Sequence, residues 1–295
     1  LRRDHPGIEV AESFASLLAR RDVDAVIVAT PAGEHFAQAR AALAAGKHVF
    51  VEKPLATSVA EARELVALAD RANRTLMVGH TFLYNDAVRW VKDYIDRGEL
   101  GELYYANFQR LNLGRVRQDV DALWNLAPHD VSIALHWFGE SPADVRAQGV
   151  SFLQPGIDDV SFLTLRFPSG RFAHIHVSWL DPSKTRRAVV VGSRKMVQYD
   201  DTSADMRIMV FDKGIDRRRL DTELGGFETF DQFQLVQRAG DVWVPHVRFR
   251  EPLQVEAAEF LESIAQGRPP LTSGPSGLAV VETLERATLS RRAAP

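Results

Sequence analysis

A run of mostly apolar residues at 24–30 constrains the fold of this chain more than any other feature. The run, Asp-Ala-Val-Ile-Val-Ala-Thr, is rich in β-branched side chains and does not alternate with polar ones, as expected of a strand buried on both faces. Ala-rich helical spacing follows over residues 34–45, and Gly46 stands where that helix would end. Further strand and helix patterns come in turn at residues 48–51, 58–73 and 76–79. Strands that alternate with helices through short loops predict an α/β fold with a parallel, doubly wound sheet of the Rossmann type.

The pattern changes after about residue 100, where hairpins replace the strand–helix alternation. Strands are predicted at 160–167, 171–179, 188–191, 196–199, 206–211 and 242–247. Helices are predicted at 85–97, 128–138, 254–266 and 275–290, and the charged stretch 212–223 is interpreted as a surface loop. We therefore predict two domains, a Rossmann domain at 1–100 and an α+β domain at 101–295. The second should contain a large, mainly antiparallel open sheet with helices on one side.

Composition excludes several classes of function. The 295 residues carry 36 Lys and Arg against 39 Asp and Glu, a net charge of −3, so no basic surplus favours nucleic acid as a partner. No apolar stretch reaches the roughly 18 residues that a membrane span needs. Cysteine is absent, so any metal site would need His and carboxylate ligands, and a cytoplasmic location is expected. His174 and His176 have ligand-like spacing but no clear third ligand, and we interpret them as sheet-surface residues rather than a metal site.

Polar residues follow two of the predicted strands at the edge where doubly wound sheets bind ligands. Thr30-Pro31 follows the first strand, and Glu52-Lys53-Pro54 follows the second. A Lys in a partly desolvated cleft can polarise a hydroxyl or carbonyl group. Pro54 restricts the backbone of Lys53 and is compatible with a cis peptide bond. The alternative is an exposed turn with a solvated Lys, but the position at a strand end favours function.

A second polar cluster opens the predicted helix at 128–138. Pro128 suits the first helical position, so His129 would lie in the first turn, where a neutral imidazole can act as a general base. Asn125 lies four residues earlier and could reach the same ligand; the alternative is a His that only caps or packs. Farther along, Trp179 with Lys184, Arg186 and Arg187 forms a basic stretch that could meet a phosphorylated or nucleotide-linked sugar, although a solvated turn is the simpler interpretation.

These motifs together resemble the Gfo/Idh/MocA family, which is named after glucose–fructose oxidoreductase, inositol dehydrogenase and MocA. The matching segments are Ala29-Thr30-Pro31 with His35, Ala45 to Val49, Glu52-Lys53-Pro54, Val78-Gly79-His80 with Asn85, Pro128-His129-Asp130, Glu251-Pro252-Leu253, Gly267 to Pro270 and Gly277-Leu278. The resemblance covers nearly the whole chain, and the Glu-Lys-Pro element in its strand context is quite specific. Within the family, the chain is most similar to the branch that acts on nucleotide-linked amino sugars, such as UDP-N-acetylglucosamine 3-dehydrogenases.

The resemblance implies an NAD(P)-dependent dehydrogenase that moves a hydride between nicotinamide and a sugar carbon. It implies that Lys53 assists proton movement and that His129 is the acid/base partner. The cofactor, NAD or NADP, would be lined by Thr30, Pro31, His35, Glu52, Lys53, His80 and Asn85. The substrate, a sugar or nucleotide-sugar, would contact Lys53, Trp124, Asn125, His129 and Lys184. Many family members carry Asp where this chain has Asn125, and an amide can hydrogen-bond a hydroxyl but cannot take its proton. The open sheet implies a homodimer or homotetramer.

The sequence also departs from the family in lacking a dinucleotide fingerprint. No G-x-G-x-x-G occurs in the 295 residues, so the family's first βαβ unit, roughly 30 residues or more, is expected to be missing before Ile8. That unit supplies the helix N-terminus that holds the pyrophosphate, so the chain as given should bind dinucleotide weakly. Two other hypotheses stay open: a non-catalytic sugar- or cofactor-sensing regulator on the same fold, and an enzyme that uses transient oxidation to cleave glycosides.

Overall fold

A computed structural model describes residues 7–114, 116–217 and 235–293, and the chain divides into two compact units. The first comprises the residues up to 80 together with 255–282, and the second comprises 81–254 together with the residues from 283 onward. These limits differ from the predicted division at residue 100, and the functions assigned to the two domains stay predictions. No helix in the described ranges is long and apolar enough to cross a membrane.

The first unit is built on a parallel three-stranded sheet. Its strands are β1 (Ala25–Val28), β2 (His48–Glu52) and β3 (Leu76–Gly79), in the order β1-β2-β3. Its helices are α1 (Phe14–Leu18), α2 (Ala32–Ala44), α3 (Val59–Ala72), most of α6 (Pro252–Gln266) and the start of α7 (Gly274–Ala293). Val51 pairs with Val28 on one side and with Val78 on the other, so the carboxyl ends of the three strands are level. The Rossmann-type parallel sheet predicted from the sequence is confirmed.

Local sequence explains where the helices of this unit end. Gly46 has φ +73°, which L side chains rarely adopt. Its N–H donates to Leu43 O and the next N–H, of Lys47, donates to Ala42 O, which is the Schellman arrangement after α2. At the start of α3, the Ser58 side chain accepts from the Glu61 N–H at 3.3 Å, as an N-cap residue does. Both helix boundaries were therefore readable from the sequence.

The second unit is built on an eight-stranded sheet. Its strands are β4 (Leu103–Leu113), β5 (Asp144–Val150), β6 (Val160–Arg166), β7 (Phe172–Ser178), β8 (Leu180–Gly192), β9 (Met196–Asp200), β10 (Ile208–Phe211) and β13 (Val242–Trp243). They lie in the order β13-β10-β9-β8-β4-β7-β6-β5, and only the β4–β7 pair is parallel. Helices α4 (Asp86–Asp96) and α5 (Ala122–Phe138) belong to this unit, and α5 packs on β4, β6 and β7. The mainly antiparallel open sheet is confirmed.

Two sequence-based boundaries in this unit were wrong. Within the stretch interpreted as a loop, β11 (Gly214–Arg217) pairs with β12 (Leu235–Arg238), while residues 218–223 lie outside the described ranges. Helix α5 begins six residues before Pro128, because the Asp121 side chain caps it by accepting from the Trp124 N–H at 2.9 Å. Pro128 therefore lies inside the helix. Burial of eleven of the 17 residues of α5 explains this, since tertiary packing decides helix stability more than propensity does.

Candidate active site

The first part of the candidate site lies at the carboxyl edge of the three-stranded sheet. Thr30 follows β1, Lys53 follows β2, and His80 follows β3. Gly79 pairs with Glu52 across the strands, and a Cβ at position 79 would lie 3.1 Å from Glu52 Oε2 and 3.3 Å from its Cα. A side chain at position 79 would therefore push Glu52 away by a few tenths of an ångström, and glycine allows this close approach beside β3. The Lys53–Pro54 peptide is cis, as the sequence allowed.

His35 links the two loops that carry the polar residues. Its side chain is buried, with Nδ1 2.7 Å from Pro54 O and Nε2 2.8 Å from Thr30 O. Both ring nitrogens thus contact carbonyl groups of the same unit, and the imidazole holds the loop after β1 against the turn after β2. Contact between His35 and a cofactor stays a prediction, but the structure already gives this side chain a scaffolding role. Thr30 Oγ1 donates at 3.2 Å to Oε1 of Gln38, which lies on α2 as His35 does. Pro31 is exposed and directly precedes α2.

His80 is the most unusual polar residue of this edge. It is 1% exposed, and neither ring nitrogen has a hydrogen-bond partner among the residues that the structure describes. Burial lowers the pKa of His80 to about 3, and the positive charge of Lys53 acts in the same direction, so the ring is neutral at physiological pH. Buried polar atoms are rarely left unpaired in proteins. A neutral donor/acceptor ring at the ligand-binding edge therefore fits contact with a polar group of a bound molecule.

A second group of predicted site residues lies on α5 in the other unit. Asn125 and His129 lie four residues apart on this helix, so they share a face. Because α5 begins at Ala122, six residues before Pro128, His129 is nearly two turns deeper in the helix than the sequence predicted. Its ring meets the edge of Phe82, with the two ring centroids 5.0 Å apart and an interplanar angle of 60°. Phe82 lies in the 3₁₀ turn Thr81–Tyr84, and sequence reasoning did not select it.

A buried ion pair stands next to His129. Arg110 of β4 donates to both carboxylate oxygens of Asp130, at 2.8 and 2.9 Å, and the two residues are 5% and 3% exposed. The Arg110 guanidinium also covers the Phe82 ring, with Cζ 4.3 Å from the centroid. Sequence reasoning missed the role of both partners. The available signal was the run of alternating inward residues in β4, which places Arg110 among buried side chains.

Asn85, which the resemblance assigned to the cofactor, is engaged within the second unit. Its Oδ1 accepts from the Ala87 N–H at 2.9 Å as the N-cap of α4, and its Nδ2 donates to Asp201 Oδ1 at 3.3 Å. The same oxygen accepts from Tyr199 OH at 3.0 Å. Burial and the Asp201 carboxylate raise the pKa of Tyr199 well above its usual value. Asn85 therefore helps to hold Asp201, and its contact with a cofactor stays a prediction.

The basic stretch on β8 is only partly as predicted. Trp179 is 1% exposed and donates from Nε1 to Asp159 at 2.5 Å, so the expected aromatic edge of a ligand approach is wrong at this residue. Lys184 is exposed, and Arg186 pairs with Asp201 at 3.2 Å. Arg186 also lies opposite Arg110 in the β4–β8 ladder. Since the two residues of a ladder pair share a face, Arg186 and Arg110 lie on one side of the sheet, while Lys184 lies in the irregular part of the ladder between Leu180 and Thr185.

The other predicted residues of the second unit have structural contacts. Trp124 donates from Nε1 to Thr288 Oγ1 at 3.0 Å. His174 and His176 lie along one face of β7 and stack on Phe162, with centroid distances of 6.2 and 4.3 Å, as sheet-surface residues. Burial lowers the pKa of both imidazoles. Among the described residues, no group of three or more His, Cys, Asp or Glu side chains could hold a metal ion.

Comparison with known proteins agrees with this architecture. Residues 2–80 match the model of an oxidoreductase family with an NAD-binding Rossmann fold, and residues 88–198 match the GFO/IDH/MocA C-terminal domain. A UDP-N-acetylglucosamine 3-dehydrogenase of Acidithiobacillus ferrooxidans is 29% identical over 279 residues, which are 91% of this chain and 78% of that protein.

Solved structures show the same fold. The structure of UDP-N-acetylglucosamine 3-dehydrogenase GnnA from Acidithiobacillus ferrooxidans superposes with a TM-score of 0.81 at 24% identity, covering 98% of this chain and 84% of that one. GenD2 from gentamicin A biosynthesis, in complex with NAD, superposes with a TM-score of 0.79 at 24% identity and covers 98% and 82%. With both family domains matched in order, this chain belongs to the Gfo/Idh/MocA family of NAD(P)-dependent oxidoreductases.

Proposed function

We propose that the chain interconverts a hydroxyl and a keto group on a nucleotide-linked amino sugar, oxidising the CH–OH carbon in one direction and reducing the C=O carbon in the other. The observation that supports the proposal is the edge formed by Glu52, Lys53 and His80. The Glu52 carboxylate ends β2 beside Gly79 of β3, Lys53 follows β2, and the buried neutral imidazole of His80 follows β3. A bound nicotinamide cofactor would supply the hydride acceptor or donor for this change. In the oxidation direction, the carbon loses its hydride and the hydroxyl loses its proton, so the protein must manage one proton in each turnover.

The proton is the task of this chain's own side chains. We assign Lys53 to the reacting oxygen, where an ammonium group stabilises developing negative charge and can relay the proton. We assign His129 as the acid/base partner, because an imidazole exchanges protons near neutral pH. Asn125, one turn away on the same helix, would orient the sugar by hydrogen bonds without taking the proton.

The cofactor would be NAD or NADP, held at its nicotinamide end by the first unit. His80 fits that task because its unpaired ring nitrogens can donate to and accept from a carboxamide or a ribose hydroxyl. Thr30, Pro31 and Glu52 would line the same edge. His35 would act mainly by holding the two loops together, through its contacts with Thr30 O and Pro54 O.

A nucleotide-linked substrate is supported by the basic residues on β8. Lys184 and Arg186 lie two residues apart on β8 and Lys184 is exposed. Both carry a positive charge that can meet a diphosphate, and Arg in particular binds phosphate through paired donors. Trp124 on α5 would contact the sugar. The 29% identical relative named as a UDP-N-acetylglucosamine 3-dehydrogenase supports the same substrate class.

We also propose that the chain forms a homodimer or homotetramer through the open face of the eight-stranded sheet. Tyr105, Phe162 and His176 project from this face, and the first two are 44% and 36% exposed. A cytoplasmic location is part of the proposal, because the reaction draws on the cellular NAD(P) pool. Light scattering after size exclusion tests the assembly: Phe162→Glu should give monomers, and an unchanged mass would count against this face.

The test of the function is NADH binding followed by turnover. NADH fluorescence is titrated with the 295 residues and with a version that carries a strand–glycine loop–helix unit ahead of Ile8. We expect the extended version to bind far more tightly, because backbone N–H groups at a helix N-terminus hold the pyrophosphate. It is then assayed with UDP-N-acetylglucosamine, free N-acetylglucosamine and inositol. Absence of NADH binding in both versions would remove the dehydrogenase proposal and favour a sensor of sugars.

A further inference from the structure

We propose that Arg110 is a positioning residue for His129, acting through Phe82 and through Asp130. The inference rests on the proposed role of His129 as the acid/base group. Arg110 contacts the two residues next to His129. One is Phe82, whose ring packs on the His129 imidazole, and the other is Asp130, which follows His129 in α5.

The first route runs through Phe82. The guanidinium of Arg110 lies 4.3 Å from the Phe82 ring centroid, and the same ring meets His129 at 5.0 Å with an edge-on angle of 60°. Arg186 approaches the same ring at 5.9 Å. A planar cation over an aromatic face is favourable when desolvated, so Arg110 restricts the Phe82 ring. Phe82 in turn restricts the rotation of the His129 imidazole from one side.

The second route runs through the backbone of α5. Asp130 follows His129 directly, and its carboxylate is tied by two hydrogen bonds to Arg110 on β4. Two parallel bonds fix orientation as well as distance. The helical turn that carries His129 is thereby registered against the central strand of the sheet. A rotation of this turn about the helix axis would break both bonds.

Stability alone is a weak reason for this ion pair. Both partners are almost fully buried, and replacing such a pair by apolar residues of similar size is often neutral or stabilising. Removing one partner is different, because it leaves an unpaired buried charge. The double replacement therefore separates a positioning role from a structural one.

The experiment compares the double variant Arg110→Met/Asp130→Leu with the unchanged protein. Both are prepared in the version that binds NADH in the titration above. If Arg110 positions His129, kcat should fall roughly 10- to 100-fold, the size of effect expected when a reacting group is misplaced by about 1 Å. KM and the NADH dissociation constant should stay within about twofold, since the pair contacts neither ligand in the proposal. Leu165→Ala is the matched control: it opens a cavity in the same sheet at a residue with 0% exposure and should leave kcat unchanged.

A second measurement does not depend on turnover. Side-chain ¹⁵N–¹H NMR of the histidines, with His129→Gln to assign the signal, reports the environment of the imidazole directly. The double variant should shift or broaden the His129 signal and leave those of His174 and His176 in place. An unchanged His129 signal overturns the inference whether or not a substrate has been found.

Phe82→Leu keeps the inference testable if the double variant does not fold. It removes the ring while leaving the ion pair intact, and it should give a smaller fall in kcat with the same selective NMR change. Arg110→Lys keeps the positive charge beside Asp130 but not the two parallel hydrogen bonds. Its free energy of unfolding should therefore stay near that of the unchanged protein, while its kcat should be low. Wild-type kcat in both Phe82→Leu and Arg110→Lys would show that the pair is structural only. A lack of turnover in the unchanged protein would count against the proposed function, while the NMR result still decides the positioning role.

Discussion

Replacing His35 by Leu should loosen the cofactor edge of the first unit by an amount that can be worked out from its contacts. The ring lies between two carbonyl oxygens, Pro54 O at 2.7 Å from Nδ1 and Thr30 O at 2.8 Å from Nε2. The neutral tautomers of imidazole carry one N–H, which donates to one of these carbonyls. Leaving a buried carbonyl such as that of Pro54 unpaired costs about 1–3 kcal/mol. The expected loss is therefore about 1–3 kcal/mol.

Hydrogen exchange measured by mass spectrometry gives this quantity locally. A loss of about 1–3 kcal/mol should speed exchange in peptides covering residues 48–56 by about 5- to 150-fold, at tenfold for each 1.4 kcal/mol. All five Trp residues lie after residue 80, so Trp fluorescence reports only the second unit, and its unfolding midpoint should not move. Gln38→Ala is the control, because it removes two side-chain bonds from the same helix, to Thr30 Oγ1 at 3.2 Å and to Glu34 at 2.7 Å, and leaves His35 in place. Equal protection in His35→Leu and the unchanged chain would refute the scaffolding role of this imidazole.

Two further predictions concern the same edge. Lys53→Ala should lower kcat by roughly 10²–10⁴, the usual contribution of a proton-transfer group, and leave NADH affinity within about threefold in fluorescence titration; equal loss of binding and turnover would instead make Lys53 a cofactor contact. His80 has a pKa of about 3 in the folded chain against about 6.5 unfolded, so the stability it contributes is present above pH 6.5 and is lost as pH falls toward 3. Between pH 7 and 5 this amounts to about 2 kcal/mol, and His80→Leu should flatten the pH dependence of urea unfolding followed by circular dichroism; a slope identical to that of the unchanged chain would contradict the burial argument.

Much of the fold was predictable because its signals are local. The boundaries of α3 follow from Ser58 as N-cap and Asn73 at φ +50° as C-cap, and the hairpin of β6 and β7 follows from alternating residues around a Pro-Ser-Gly turn. The start of α5 was not predictable in the same way. Pro128 is a strong first-turn signal, but the helix continues through it because its surroundings are buried, and burial depends on residues distant in the chain.

The residues of the candidate site also fall into those that local sequence signals select and those that they do not. Thr30 and Lys53 could be selected because each follows a predicted strand, and parallel strands end at one edge, whereas His80 was selected through the family resemblance. Phe82 could not, since nothing in its local sequence is unusual, and the alternation along β4 predicts that Arg110 is buried without predicting its partners. Their relation to His129 arises from the ion pair of Arg110 with Asp130 and from a ring contact across 47 positions of the chain. The opposite error occurred at Trp179, an aromatic residue in a basic stretch that the fold turns inward toward Asp159.

The sequence by itself determined the parallel order of strands and helices in the first unit, the strand ends that carry the predicted site residues Thr30 and Lys53, and the Glu-Lys-Pro turn that follows β2. It could do so because backbone periodicity, capping and turn geometry depend on residues a few positions apart. Only the tertiary structure decided that His35 joins two loops, that both His80 nitrogens are buried without partners, and that an ion pair and an aromatic ring border His129. These properties depend on burial and on side-chain approach between distant segments, which no local pattern encodes.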